Sequence, residues 1–144
     1  MKITNKKAFF DYQIQEKFEA GISLYGAEVK AVKLGHADLT GSYIKIIGSE
    51  AYLVNAKIFA YQYARPESYD EKRTRKLLLH KGEIIALKAK IDGANLTIVP
   101  LSLYTKKQLI KVEVALGKGK KQFEKKEAKK RKDLQRELEQ EISY

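Results

Sequence analysis

Leu96-Thr97-Ile98-Val99-Pro100-Leu101-Ser102-Leu103-Tyr104, followed after four residues by Leu109-Ile110-Lys111-Val112-Glu113-Val114, is the stretch whose reading decides the fold class. β-Branched, leucine and aromatic residues crowd both runs, the second alternates apolar with charged side chains, and the connection is short and polar. That pattern predicts two consecutive antiparallel strands. Working outward, Ser42-Tyr43-Ile44-Lys45-Ile46-Ile47 and Ala51-Tyr52-Leu53-Val54 predict a second pair, with Gly48-Ser49-Glu50 as the hairpin loop. Phe10, Tyr12 and Ile14 alternate with polar neighbours as in a half-buried strand, and Gly21 and Gly26 bracket the short apolar piece Ile22-Ser23-Leu24-Tyr25. A short helix is expected next, with Val29, Val32 and Ala31 inward, Lys30 and Lys33 in water and Gly35 at its end. Ile84, Leu87 and Ile91 have the spacing of an amphipathic helix, with Gly93 just beyond it, while Gln62 to Lys76 reads as a long exposed loop. Strands outnumber helices and short turns join them. The expected fold is therefore mainly β with peripheral helices: an OB-like antiparallel β-barrel carrying a flexible basic C-terminal tail.

With 144 residues and 44% hydrophobic content, the chain can close one core and has little material for a second. Aromatic and β-branched residues thin out after Leu116, so the division is set at Gly117-Lys118-Gly119: residues 1–116 as the barrel, residues 117–144 as the tail. The tail is polarised. Residues 117–132 carry nine Lys/Arg against two acidic residues, and residues 133–144 carry one against four, with Leu134, Leu138 and Ile142 at helical spacing. Such a segment is expected to be disordered alone and helical where phosphates neutralise it. The chain has no cysteine, which excludes disulfides and thiolate chemistry, and neither a leader-like apolar start nor a membrane-length apolar run is read from it. A cytoplasmic protein without a membrane partner is expected.

The 29 Lys/Arg against 18 Asp/Glu give a net charge of +11, which attracts polyanions and makes nucleic acid the leading partner class. An enzyme needs a positioned base, nucleophile or metal, and the candidates are few. His36 and His80 lack partners at ligand or triad spacing, and Gly117-Lys118-Gly119-Lys120-Lys121 lacks the glycine spacing and Ser/Thr of a phosphate loop. No catalytic residue, metal or cofactor is expected. Three basic clusters stand out instead: Lys6-Lys7 after Asn5, Lys72-Arg73-Thr74-Arg75-Lys76, and Lys118 to Lys121 continued through Lys125-Lys126. Each alone suits a solvated face, but together their phosphate contacts accumulate through counterion release. Tyr43, Tyr52 and Phe59 are expected in the core; Tyr61, Tyr63 and Tyr69, in the polar loop, are candidates for stacking on unpaired bases.

Five motifs follow one another along nearly the whole chain: Asn5-Lys6-Lys7-Ala8 with Tyr12; Glu19-Ala20-Gly21-Ile22 with Leu24-Tyr25-Gly26-Ala27-Glu28-Val29-Lys30; Arg73-Thr74-Arg75-Lys76-Leu77-Leu78-Leu79-His80; Thr97-Ile98-Val99-Pro100-Leu101 with Tyr104; and Gly119-Lys120-Lys121 with Glu124-Lys125-Lys126. In this order they resemble the small protein B family, the SsrA-binding proteins that accompany transfer-messenger RNA in bacteria. The resemblance implies a barrel that grips the tRNA-like part of that RNA in place of its missing anticodon arm. It also implies a tail that enters the ribosome where messenger RNA is absent, so that trans-translation rescues the ribosome and tags the incomplete protein. Alanyl-tRNA synthetase and elongation factor Tu would be indirect partners, and the protein a monomer. Carried over by position, Asn5, Lys6, Lys7, Glu19, Arg73, Arg75, Lys76 and Leu78 would face RNA, Gly119, Lys120 and Lys121 would form the tail root, and Glu124, Lys125 and Lys126 would act in the decoding region. Glu19 would accept hydrogen bonds from base or ribose donors, and Leu78 would pack on an unstacked base or sugar. The chain departs from the family pattern at Ser68-Tyr69-Asp70-Glu71, where Asn-His and a proline are frequent, at Phe10 for histidine, and at Lys126 for arginine, which loses bidentate phosphate pairing.

Two other readings compete. A basic barrel with a basic tail also describes proteins that bind ribosomal RNA, and an RNA-modifying enzyme is a third class, disfavoured by the sparse catalytic inventory.

Overall fold

The computed structural model describes residues 2–59 and 69–120. In chain order the elements are β1 (Lys2–Thr4), α1 (Lys6–Asp11), β2 (Tyr12–Ile22), α2 (Gly26–Lys33), β3 (Ala37–Asp38), β4 (Tyr43–Ile47), β5 (Glu50–Val54), β6 (Lys57–Ile58), β7 (Arg75–Leu78), α3 (Lys81–Ala94), β8 (Thr97–Lys106) and β9 (Leu109–Gly119). Seven strands form one sheet in the order β1-β8-β9-β2-β7-β5-β4, and β3 pairs with β6. Every pairing is antiparallel. The sheet curls until β4 lies against β8. This is the expected mainly β, OB-like barrel with helices at its margins.

The two decisive runs pair as predicted, from Thr97↔Gly117 to Lys106↔Leu109. Their connection shrinks to Lys107-Gln108, both at positive φ (50° and 67°), the backbone of a type I′ hairpin, built here without glycine. A bulge between Pro100 and Ser102 places the proline where no ladder N–H is needed. From Ile98 to Leu103 every residue of β8 is buried. Ile98 and Leu103 enter the main core with Leu53, Leu77, Val112 and Leu116, whereas Val99 and Leu101 pack with Ala8 and Ala115 beneath α1.

Asn5 closes this second layer. Its backbone N–H donates to the Leu101 carbonyl at 2.7 Å, its Nδ2 to the Pro100 carbonyl at 2.9 Å, and its Oδ1 accepts from the Ala8 N–H at 3.3 Å, capping α1. Phe10 therefore lies in a helix and not in the strand expected for it; the strand starts at Tyr12. The cap and the burial of Ala8 outweigh a three-residue alternation.

Other expectations need correction. The stretch read as an exposed loop to Lys76 becomes β7 at Arg75, because a strand's period of two runs back from Leu77 to Arg75 and turns both inward. Helix α3 continues through Gly93 and stops at Asn95, in the left-handed conformation at φ 53°. Tyr43 and Phe59 are exposed and Tyr52 half-buried, so none is a core residue. β9 runs past Leu116 to Gly119. Tyr61, Tyr63, Lys121, Glu124, Lys125 and Lys126 lie outside the described residues.

Candidate nucleic-acid interface

The basic motif around Arg73 is organised by a residue with the opposite charge. Glu28 falls on the inward side of α2 and is 0% exposed. Its Oε1 accepts from the Tyr25 N–H at 2.8 Å and from Arg73 Nη2 at 2.5 Å; its Oε2 accepts from Arg75 Nε at 2.8 Å. Arg75, also 0% exposed, spends its other donors on the carbonyls of Ala56 (2.8 Å) and Glu71 (3.0 Å) and on the Tyr69 hydroxyl (3.1 Å). That hydroxyl reaches Glu28 Oε2 at 3.0 Å and the Ile58 carbonyl at 2.8 Å. Burial alone would raise the Glu28 pKa, but the hydrogen bonds from Arg73, the Tyr25 backbone and Arg75 outweigh it and hold the carboxyl below the usual carboxylate range. Burial and the Glu28 carboxylate push the Tyr69 hydroxyl up.

This network changes the reading of several residues. Arg75 cannot touch a phosphate from its buried position; it is a counter-ion that fixes Glu28. Tyr69 turns its hydroxyl inward, where it acts as a strut between Glu28, Arg75 and the Ile58 carbonyl. Arg73 is half-buried, and its guanidinium lies 4.0 Å from the centroid of the Tyr25 ring. Lys76 and Leu78, one and three residues after Arg75, alternate outward; Lys76 Nζ sits 3.1 Å from Glu50 Oε1 on the exposed face.

Glu19 lies on β2, two positions before Gly21, which pairs with Leu78. Its carboxylate accepts from the Tyr104 hydroxyl and lies 3.4 Å from Lys106 Nζ, both reaching across β9. Those bonds, the Tyr104 bond first, draw its pKa below the usual range, so Glu19 presents an ionised acceptor at the surface. Burial, then the bond to Glu19, raises the Tyr104 hydroxyl well above its ordinary value. Gly21 lets Leu78 approach closely: a Cβ there would sit 3.1 Å from Leu78 Cβ and push it back by a few tenths of an ångström.

The opposite end of β2 holds the second group. Gly119 pairs with Tyr12, the Lys120 N–H donates to the Asp11 carbonyl at 2.8 Å, and Lys120 Nζ reaches the Phe9 carbonyl at 3.3 Å. Lys6 and Lys7 are exposed on α1, and Lys17 stands 5.8 Å over the Phe9 ring. Asn5, only 3% exposed, is the cap that holds α1, though it and Lys7 also line a shallow depression against Tyr43. The structure thus brings Lys6, Lys7, Gly119 and Lys120 to one end of β2, and Glu19, Arg73, Lys76 and Leu78 to the other, about 23 Å away for the seven residues from Tyr12 to Glu19. Sequence reasoning missed Glu28, Tyr25, Lys106 and Lys111. Tyr25 and Glu28 stand in the second family motif, and the inward helix position of Glu28 beside Ala31 and Val32 was a further signal for it; Lys106 and Lys111 had none.

His36 and His80 occupy a loop and the N-terminal end of α3, where the His80 N–H donates to Glu83 Oε1 at 3.1 Å. Among the described residues no group of three or more acidic or histidine side chains is placed to hold a metal, and no helix is long and apolar enough to cross a membrane.

The SmpB protein family model matches residues 2–144. The SsrA-binding protein of Sulfurihydrogenibium sp. (strain YO3AOP1) is 52% identical over 136 residues, covering 94% of this chain and 90% of the relative. That of Geotalea uraniireducens (strain Rf4) is 48% identical, covering 93% and 89%. A chain of the solved structure described as "tmRNA-SmpB: a journey to the center of the bacterial ribosome" is 41% identical and superposes with a TM-score of 0.70 over 84% of this chain and 85% of that one. By sequence along nearly its whole length, and by fold, this chain belongs to the SmpB family of SsrA-binding proteins.

Proposed function

We propose that this protein binds the tRNA-like domain of transfer-messenger RNA and delivers it to stalled ribosomes, where trans-translation frees the ribosome and tags the incomplete protein. The observation that carries the reading is family membership along the full barrel, joined to a positive field on that barrel: Lys6, Lys7 and Lys120 at one end of β2, and Lys76, Lys106, Lys111 and Arg73 at the other. Phosphate contacts from these cations supply affinity, and Glu19 supplies selectivity for base or ribose donors. Arg75 and Asn5 act from inside, by shaping the surface. The role is binding and delivery, without catalysis, and the protein acts as a cytoplasmic monomer alongside alanyl-tRNA synthetase and elongation factor Tu. The tail that follows β9 forms a functional unit of its own, with Lys121 at its root and Glu124, Lys125 and Lys126 acting in the decoding region.

The test is a competition titration of the labelled tRNA-like domain against a ribosomal RNA fragment of matched length at one near-physiological salt concentration. Strong preference for the tRNA-like domain is expected. Equal binding would leave only charge-driven affinity and favour a ribosomal-RNA-binding role instead.

A further inference from the structure

Tyr25 is 61% exposed, yet one face of its ring is occupied. Its backbone N–H is tied to Glu28 Oε1 at 2.8 Å, and one ring face is covered by the Arg73 guanidinium at 4.0 Å, itself held by Glu28 at 2.5 Å. Glu28 in turn is anchored by the fully buried Arg75. The cation stacked on this ring is thus anchored by an ion-pair network reaching into the barrel. Its chain neighbour Leu24 lines a trough together with Gly21, Val29, Leu78, Leu109 and Lys111. Leu78 and Leu109 are 56% and 60% exposed at its rim, on a protein of net charge +11.

We infer that the Tyr25–Arg73 pair is a pre-ordered platform for one unpaired nucleobase of the bound RNA, with the neighbouring Leu24–Leu78–Leu109 trough taking the edge of that nucleotide. A fixed aromatic face stacks a base without paying to order the ring, the guanidinium behind it adds positive charge, and Leu78 and Leu109 supply apolar contact. A solvated anion would gain little from leucines. A peptide would need a longer groove or a free strand edge, and β7 and β9 are both already paired on each side. The inference rests on the RNA-binding reading above, which already gives Leu78 to a base or sugar, and adds to it the Tyr25–Arg73 stacking face.

The experiment titrates the full chain and two variants, Tyr25→Leu and Tyr25→Phe, with the tRNA-like domain and with the matched ribosomal fragment, at four salt concentrations. Tyr25→Leu should bind the tRNA-like domain roughly 5- to 150-fold more weakly, the span measured for loss of one stacked base. Its salt slope should be unchanged, because no charge is removed, and its thermal midpoint should fall by no more than about 4 °C, the share of the lost Arg73–ring contact. Tyr25→Phe keeps the π face and should bind within about twofold of the parent. The inference is overturned if Tyr25→Leu binds like the parent, if its loss comes with a shallower salt slope, or if Tyr25→Phe is as weak as Tyr25→Leu. Should the parent bind both RNAs alike while Tyr25→Leu weakens both, the platform stands and the choice of partner RNA falls.

Discussion

Glu28→Gln keeps the side chain's shape and removes its charge, which makes it the sharpest probe of the buried network. The carboxylate accepts from Tyr25 and Arg73 on Oε1 and from Arg75 on Oε2. Whichever way the amide is turned, its NH₂ must face donors, and Arg75 at 0% exposure keeps its charge without a counter-charge. Breaking a buried pair in this way costs about 3–5 kcal/mol. At roughly 4 °C per kcal/mol for a domain of this size, the unfolding midpoint should fall by about 12–20 °C. Thermal and urea unfolding followed by far-UV circular dichroism read the change, and the double variant with Arg75→Met should recover part of it, since no buried cation then lacks a partner. The sign of the pH dependence follows from the same group. The folded carboxyl is held below the usual 4.5, so the unfolded chain binds its proton first as pH falls; the network's stability is present above pH 4.5 and lost below it. The parent should therefore lose stability on acidification through this range more steeply than Glu28→Gln. A variant that costs under about 1 kcal/mol and keeps the parent's acid profile would refute the argument that Glu28 holds the motif together.

Asn5→Ala loses both the cap acceptor and the donor to the Pro100 carbonyl and should cost about 1–2 kcal/mol, while Asn5→Asp keeps the acceptor but sets a buried carboxylate oxygen against that carbonyl and should lower the unfolding midpoint further at neutral pH than in acid. In the β8–β9 turn, replacing Lys107-Gln108 with Asn-Gly relieves two positive φ angles and should stabilise the chain by about 1 kcal/mol in urea titrations. Neutralising Lys6, Lys7 and Lys120 together should weaken RNA binding and flatten its salt slope, by about 0.7–0.9 per lost phosphate contact, with little change in melting; an unchanged slope would remove that end of β2 from the interface. Deleting residues 121–144 should leave binding of the tRNA-like domain largely intact while abolishing tagging on stalled ribosomes, and a truncated chain that still supports tagging would contradict the proposed role of the tail.

The fold class was legible because it depends on local pattern. The alternation through Leu109–Val114 and Tyr43–Val54 and the short polar turns between strands specify antiparallel pairing whatever surrounds them. The net charge likewise pointed to a polyanionic partner without coordinates. The motifs carried family membership by their order alone.

Which basic residues face outward could not be read from a run of like charges, since Lys72-Arg73-Thr74-Arg75-Lys76 looks uniformly solvated in one dimension. Once β7 is inserted between β2 and β5, its pleat sends Arg75 inward and Lys76 and Leu78 outward, and Arg75 is tolerated there only because α2 delivers Glu28 to the same spot. The partnership joins positions 47 residues apart. Tyr25 and the arginine that stacks on its ring, Arg73, are likewise far apart in sequence and meet only in the fold. Sequence by itself determined strand, turn, charge and family, because those follow from neighbours along the chain. The tertiary structure alone decided which charges are buried as pairs and which side chains remain to meet an RNA, because burial and pairing depend on what the rest of the barrel brings alongside.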